Sequence, residues 1–164
     1  VSARSGIGYD SHRLVADRPL ILGGVRIEHD RGLAGHSDAD VLTHAIIDAL
    51  LGAAGMGDIG EHFPDNDERH RDADSIALLG EVLERLRAAG LWVVHLDSTI
   101  VMERPKLGPH RAAIRTRLCE VLGLPPEHVN VKATTGEGIG FVGRQEGVAA
   151  LAIATVESAD THSR

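Results

Sequence analysis

SDADVLTHAIIDALLGAAG, residues 37–55, is the stretch on which the architecture turns. Its spacing through Val41, Ala45, Asp48 and Leu51 is helical. Ser37 followed by Asp40 approximates a capping box, which predicts a helix start near Asp38, and Gly55 stands where a C-terminal stop belongs. Outward from this helix the pattern changes period. GIGYDSH and PLILGGVRI precede it as β-like runs, and a long charged loop, MGDIGEHFPDNDERHRD, follows it. A second helix, ADSIALLGEVLERLRAAG, places Ile76, Leu79, Val82, Leu83 and Leu86 on one face and closes at Gly90. LWVVHLDSTIVM then reads as a strand, PHRAAIRTRLCEVLG as a third helix, and HVNVKAT and GVAALAIATVES as strands. The alternation predicts one α/β (α+β two-layer) domain over residues 1–164, a mixed β-sheet with helices packed on one face.

Composition narrows the function classes. A chain of 164 residues with 43% hydrophobic content can bury one real core. Cys119 is the only cysteine, which rules out an internal disulfide, and its place in an apolar periodicity predicts a buried thiol in a reducing compartment. No apolar run reaches the roughly 18 residues that span a bilayer, so a soluble, cytoplasmic protein without a membrane partner is expected. The chain starts with Val1, which leaves room for a plastid transit peptide or a preceding domain. A formal charge of −7 and an aromatic content of 2% argue against nucleic acid as a partner, because phosphate tracking needs basic patches and single strands need stacking platforms.

Three polar clusters carry the chemistry. In Gly8-Tyr9-Asp10-Ser11-His12 the carboxylate and imidazole are two residues apart, so on a strand they share a face about 7 Å apart. His36, Asp40, His44 and Asp48 recur at i+4 and are predicted to form one stripe of the first helix, with His44 at its centre. Asp10, His12 and His44 together make a ligand set suited to zinc, or to manganese or cobalt, with a fourth position open for catalysis. The same i+4 spacing fits an ordinary solvated helix face, so spacing leaves both readings open. The second cluster places Asp58 and Asp65 around Gly60 and Phe63-Pro64, as in a loop that grips polyol hydroxyls or in an ordinary turn. The third joins ERPKLGPH to VKATTGEGIGFVGRQEG and contains both lysines of the chain, Lys106 and Lys132. There Thr134, Thr135 and Glu137 can hold phosphates and an oxygen-liking cation, with a plain hairpin as the alternative.

Taken together, GYDSHRL, LILGGVRI, HSDADVLTHAIIDALLGAAGMGDIGEHFPD, RPKLGPH, NVKATTGEGIGF and GRQEG resemble one family, the 2-C-methyl-D-erythritol 2,4-cyclodiphosphate synthases of the non-mevalonate isoprenoid pathway. The matching words run in the family's order from residue 6 to residue 147. The resemblance implies a lyase that converts 4-diphosphocytidyl-2-C-methyl-D-erythritol 2-phosphate to the cyclic diphosphate and CMP. It implies Asp10, His12 and His44 as ligands of Zn2+ (or Mn2+ or Co2+), and Mg2+ or Mn2+ bridging the substrate diphosphate near Glu137. His36 and Thr135 are similar to the residues that steady the transition state. Substrate contacts are implied at Asp10, Ser11, His12, His36, Ser37, Asp58, Ile59, Gly60, Phe63, Pro64, Asp65, Asn66 and Asp67. The cytidine and diphosphate side is implied at Met102, Glu103, Arg104, Pro105, Lys106, Leu107 and Gly108, with Thr134, Thr135, Gly136, Glu137, Phe141 and Arg144.

Family resemblance also implies a homotrimer with active sites between subunits. The run VAALAIATV at 148–156 points the same way, having more apolar surface than a half-exposed strand of one small domain should show. Met102, Glu103, Gly108, Gly136, Val142 and Gln145 depart from the family's commoner residues, and they bear on the nucleotide pocket rather than on the three metal ligands. Other functions compatible with the same residues are a non-catalytic trimeric metal and nucleotide binder and a zinc phosphohydrolase.

Overall fold

Even-numbered residues from Gly6 to Leu14 share one face of strand β1 (Ser2–Ala16) and turn inward, while Ile7, Tyr9, Ser11 and Arg13 turn outward. The inward face meets helix α1 (Val41–Ala54) at very short range. A Cβ on Gly8 would stand 1.8 Å from the Ala45 carbonyl oxygen, and one on Gly6 2.2 Å from that of Ala49. Glycine on the strand and alanine on the helix therefore let a helix backbone lie directly on a strand. Asp10 and His12 continue the same inward row toward the start of α1.

The computed structural model describes residues 1–159. β1 pairs antiparallel with β7 (Gly147–Ser158), which pairs antiparallel with β5 (Leu91–Val101), and β5 runs parallel to β6 (Val129–Thr134). β4 (Arg31–Leu33) closes the other edge, giving the order β4-β1-β7-β5-β6. Helices α1, α3 (Ser75–Ala88) and α4 (Arg111–Leu122) contribute a shared core with the sheet. Leu42, Ile46, Ile47, Leu50 and Leu51 of α1 are wholly buried in it, joined by Leu79 and Val82, by Ile114 and Leu118, and by Leu96 and Ile100. All five residues predicted for the inner face of the second helix are buried. On the opposite side of the sheet, Ile7 pairs with Ile153 and Tyr9 with Leu151, and all four are exposed in the single chain.

Several local expectations change. α1 begins at Val41, not near Asp38, and its cap is Asp40 rather than Ser37. Asp40 is completely buried and accepts four hydrogen bonds, from Gly23 N (2.9 Å), Gly24 N (2.8 Å), Thr43 N (3.0 Å) and Thr43 Oγ1 (2.8 Å). Anchoring to the Gly23-Gly24 turn pulls Asp40 out of helical geometry, so His36 and Asp40 lie ahead of the helix and the i+4 stripe reduces to His44 and Asp48. PLILGGVRI is not one strand: β2 (Leu20–Leu22) and β3 (Val25–Ile27) form a separate hairpin that turns at those two glycines, both with positive φ. The long charged loop contains helix α2 (Ile59–His62), capped by Asp58, and a single 3-10 turn at Glu68–His70, capped by Asp67. The glycine-rich stretch folds as the short helix α5 (Gly140–Gly143) instead of a hairpin. Cys119 is half-buried, since α4 turns it toward the edge of the core.

Candidate metal centre

Strand β1 and helix α1 bring three ligand atoms to one point. His12 Nε2 lies 2.9 Å from Asp10 Oδ2, His44 Nδ1 lies 3.1 Å from the same oxygen, and the two ring nitrogens are 3.2 Å apart. A tetrahedral zinc ion with bonds of about 2.0 Å separates its ligands by roughly 3.3 Å, so the triangle is already close to one face of such a polyhedron. It is the only group of three or more His, Cys, Asp or Glu side chains of this kind among the described residues.

The outer hydrogen bonds decide what those atoms can do. His12 Nδ1 lies 2.8 Å from the Ala34 carbonyl oxygen, which only accepts, so its proton sits on Nδ1 and the Nε2 lone pair faces inward. His44 Nε2 lies 2.8 Å from Ser75 Oγ and 3.2 Å from Ser37 Oγ, leaving Nδ1 as its inward atom. Both inward ring nitrogens lie within hydrogen-bond distance of the Asp10 carboxylate, and in neutral imidazoles protonated on their outer nitrogens they would turn lone pairs to a cation. Burial opposes ionisation of Asp10, yet hydrogen bonds to His12 and His44 outweigh it and hold the carboxyl well below the usual carboxylate range. Burial likewise works against a charged His12, but Asp10 overcomes it and raises the imidazole above its ordinary value of 6.5.

A cavity of about 230 Å³ opens on the triangle. Asp10, His12 and His44 form its floor, and His36, Ser37, Ile59, Gly60, Phe63 and Asp65 line it. His36 donates from Nε2 to the Asp67 carbonyl oxygen (3.2 Å), which ties the cavity wall to the loop. Asp58 is occupied as the cap of α2, accepting from Glu61 N (3.0 Å), while Pro64 and Asn66 are exposed on the loop. Arg69 clamps Asp67 and holds its carboxyl down at about 2. Ser11 turns to the outer face of β1 and is exposed.

None of the cavity's lining residues comes from 102–108 or 134–144. Those two segments meet each other instead: Met102 N donates to the Thr134 carbonyl oxygen (2.9 Å) and Gly136 N donates to the Glu103 carboxylate. Gly136 is tightly enclosed, because a Cβ there would lie 2.8 Å from Gly143 N and 2.9 Å from the Ile139 carbonyl oxygen. Met102 and Leu107 are buried, Arg104, Lys106, Gly108, Thr134 and Glu137 are exposed, and Glu103, Pro105 and Thr135 are intermediate. Phe141 packs beside Ser11, Arg13 and Gly147 on the far side of β1, and Arg144 pairs with Glu146 (3.1 Å).

Sequence reasoning missed four residues around the cavity. His70 lines it and stands edge-on to Phe63, with ring centroids 5.3 Å apart. Arg85 lies 5.0 Å over the Phe63 ring and bonds His62 Nδ1 (2.5 Å), pinning the loop to α3. Asp38 and Ser75 stand behind His44. Only His70 carried a readable signal, as one more imidazole in a charged loop; the others depend on which elements pack together.

The YgbB family model matches residues 3–157. The chain belongs to the YgbB family. Relatives of this YgbB chain include the 2-C-methyl-D-erythritol 2,4-cyclodiphosphate synthase of Salinibacter ruber, 62% identical over 156 residues that cover 95% of this chain and 99% of that protein. The enzyme of the same name from Cyanothece is 57% identical, covering 96% and 98%. Among solved structures, a 2C-methyl-D-erythritol-2,4-cyclodiphosphate synthase in its CDP-bound form superposes with a TM-score of 0.87 at 39% identity, covering 94% of this chain and all of that one. The bifunctional IspDF of Campylobacter jejuni superposes with a TM-score of 0.92 at 40% identity; this YgbB chain spans 97% of itself but 43% of that longer protein.

Proposed function

We propose that the chain converts 4-diphosphocytidyl-2-C-methyl-D-erythritol 2-phosphate to 2-C-methyl-D-erythritol 2,4-cyclodiphosphate and CMP, as its near full-length relatives are named for doing. The observation that carries this reading is the convergence of Asp10, His12 and His44 beneath an open cavity, with His12 Nδ1 on the Ala34 carbonyl and His44 Nε2 on Ser75 so that the other ring nitrogens turn inward. A zinc-class ion held by these three residues, with a magnesium-class ion near Glu137, supplies Lewis-acid stabilisation of phosphoryl oxygens.

The rest falls to the chain's own groups. The reaction joins the 2-phosphate of the substrate to the β-phosphorus of its diphosphate, breaks the bond to CMP, and leaves the displaced electron pair on the CMP phosphate. The attacking phosphate is already ionised, so no strong general base is required, and positioning supplies much of the rate. Ser37 faces the cavity and can donate to phosphate oxygens, Thr135 can do so from the nucleotide segment, and His36 can do so when its Nε2 proton turns from the Asp67 carbonyl to the substrate. Ile59 to Gly60 and Phe63 to Asp65 shape the erythritol end, with Asp58 and Asp67 holding the turns that carry them.

The separation of 102–108 and 134–144 from the cavity within one chain supports a site completed by a second copy. Exposed Ile7, Tyr9, Leu151 and Ile153 form the apolar face on which copies would meet, in a homotrimer. No helix among the described residues is long and apolar enough to cross a membrane, and the proposed location is the cytoplasm.

Phosphorus NMR of the protein incubated with substrate and zinc tests the reading. A cyclic diphosphate appearing with CMP supports it; free phosphate would mark a hydrolase, and unchanged substrate a binder.

A further inference from the structure

Ser75 stands at the first turn of α3, completely buried, and Asp38 precedes α1. Neither touches the cavity, yet they form a directed chain of hydrogen bonds that ends on a metal ligand. Asp38 accepts from Ser75 N (3.0 Å), from the Ser75 hydroxyl and from Asp40 N (3.1 Å). A serine hydroxyl has one proton, and here it is committed to the carboxylate. Ser75 Oγ can therefore only accept from His44, 2.8 Å away, and His44 Nε2 must be the donor. Ser37 Oγ, the other neighbour at 3.2 Å, does not impose this direction, because its proton is free to turn toward the cavity. A neutral imidazole whose Nε2 carries its one proton presents an unprotonated Nδ1, the atom that faces Asp10 and His12.

We propose that Ser75, oriented by Asp38, is a positioning residue that locks His44 in its Nε2–H tautomer and so keeps the Nδ1 lone pair available to the metal. This rests on the reading that Asp10, His12 and His44 hold the ion. The fold supplies the lock by placing the starts of α1 and α3 side by side, with Asp38 spanning from one to the other. Replacing Ser75 by alanine leaves its backbone N–H on Asp38, so α3 keeps that anchor while the direction imposed on His44 is lost.

The test combines zinc affinity, measured by chelator competition, with nitrogen-15 NMR of the imidazoles in zinc-free protein. The metal-free parent, at a pH where its imidazoles are neutral, should show His44 as the Nε2–H tautomer. In Ser75→Ala that signature should become mixed and zinc affinity should fall about 10- to 100-fold, the usual effect of losing an outer hydrogen-bond partner of a ligand. Ser75→Thr, which restores a hydroxyl, should recover most of both, and Ser37→Ala should change affinity less than Ser75→Ala. A parent protein with neutral His44 protonated on Nδ1 alone overturns the proposal without any variant, as does Ser75→Ala with affinity within twofold of the parent. Asp10→Ala separates this from failure of the metal site itself: if that variant binds zinc as tightly as the parent, the three-ligand reading falls, whatever Ser75 does.

Discussion

The cavity over Asp10, His12 and His44 and the contact between 102–108 and 134–144 lie apart within one chain, and the fold treats them in opposite ways. Every support of the metal centre lies inside one chain, from the Ala34 carbonyl behind His12 to Ser75 behind His44. The contact between those two segments is closed by Glu103 and Gly136, and Thr134, Glu137 and Phe141 are exposed beside it. A metal polyhedron tolerates little error in ligand position, so it is held by strand and helix. Recognition of a flexible phosphorylated substrate can be divided between two bodies, provided they dock. The comparison makes substitutions in the two regions fail differently.

Gly8→Ala should have the largest effect, because its Cβ would overlap the Ala45 carbonyl and force α1 off β1. Loss of about 3 kcal/mol or more, together with loss of zinc, is expected in thermal melts and metal analysis. A parent-like melt would show that the close helix–strand contact is not what holds the metal region. Asp40→Ala should follow, since it removes a helix cap and strands the buried N–H groups of Gly23 and Gly24, costing about 3 kcal/mol.

His44→Ala should abolish stoichiometric zinc and CMP release while the metal-free protein still folds, since two ligands hold zinc poorly and the core is apolar. Glu137→Ala should do the reverse, keeping zinc but losing activity and magnesium response. If copies share sites, mixing these two inactive variants under exchange conditions should restore part of the activity, because some mixed sites then combine two intact halves. No recovery in assemblies proven to be mixed would break the division between the regions.

The smallest expected effect is on pH dependence. Asp10 raises His12, so in metal-free protein their pairing contributes fully below about 6.5 and fades as pH rises through the higher folded value. On the acid side, Asp10 is held low, so the contribution persists until pH falls through that depressed value. A proton on His12 competes with zinc, hence the difference in melting temperature between zinc-loaded and zinc-free protein should widen from pH 5.5 to 8. A constant difference would mean that His12 is not a ligand.

Much was legible before any coordinates. Periodicity located α1, α3, α4 and the long strands because helix and strand repeats depend on which face meets the core, and burial of Ile76, Leu79, Val82, Leu83 and Leu86 follows directly. Gly55 ends α1 in the left-handed region as its position indicated. Spacing also placed Asp10 and His12 on one face, since a strand turns a side chain over every residue. What spacing could not decide was whether His44 shared their ion, because an i+4 polar stripe is equally a solvated surface.

Tertiary structure brings His44 Nδ1 within 3.1 Å of Asp10 Oδ2. The start of α1 moved to Val41 because Asp40 found its donors in the Gly23-Gly24 turn, which lies far away in sequence. His44 reached Asp10 because Gly6 and Gly8 admit Ala45 and Ala49 at backbone contact. Ser75 reached His44 because α1 and α3 start side by side. The sequence by itself determined the elements, their inward faces and the chemical types of the ligands, since these follow from local repeats and residue identity. Which ligand atoms point at one another, and which tautomer each imidazole adopts, was decided by packing, because angstrom-scale distances arise only when segments remote in the chain are pressed together.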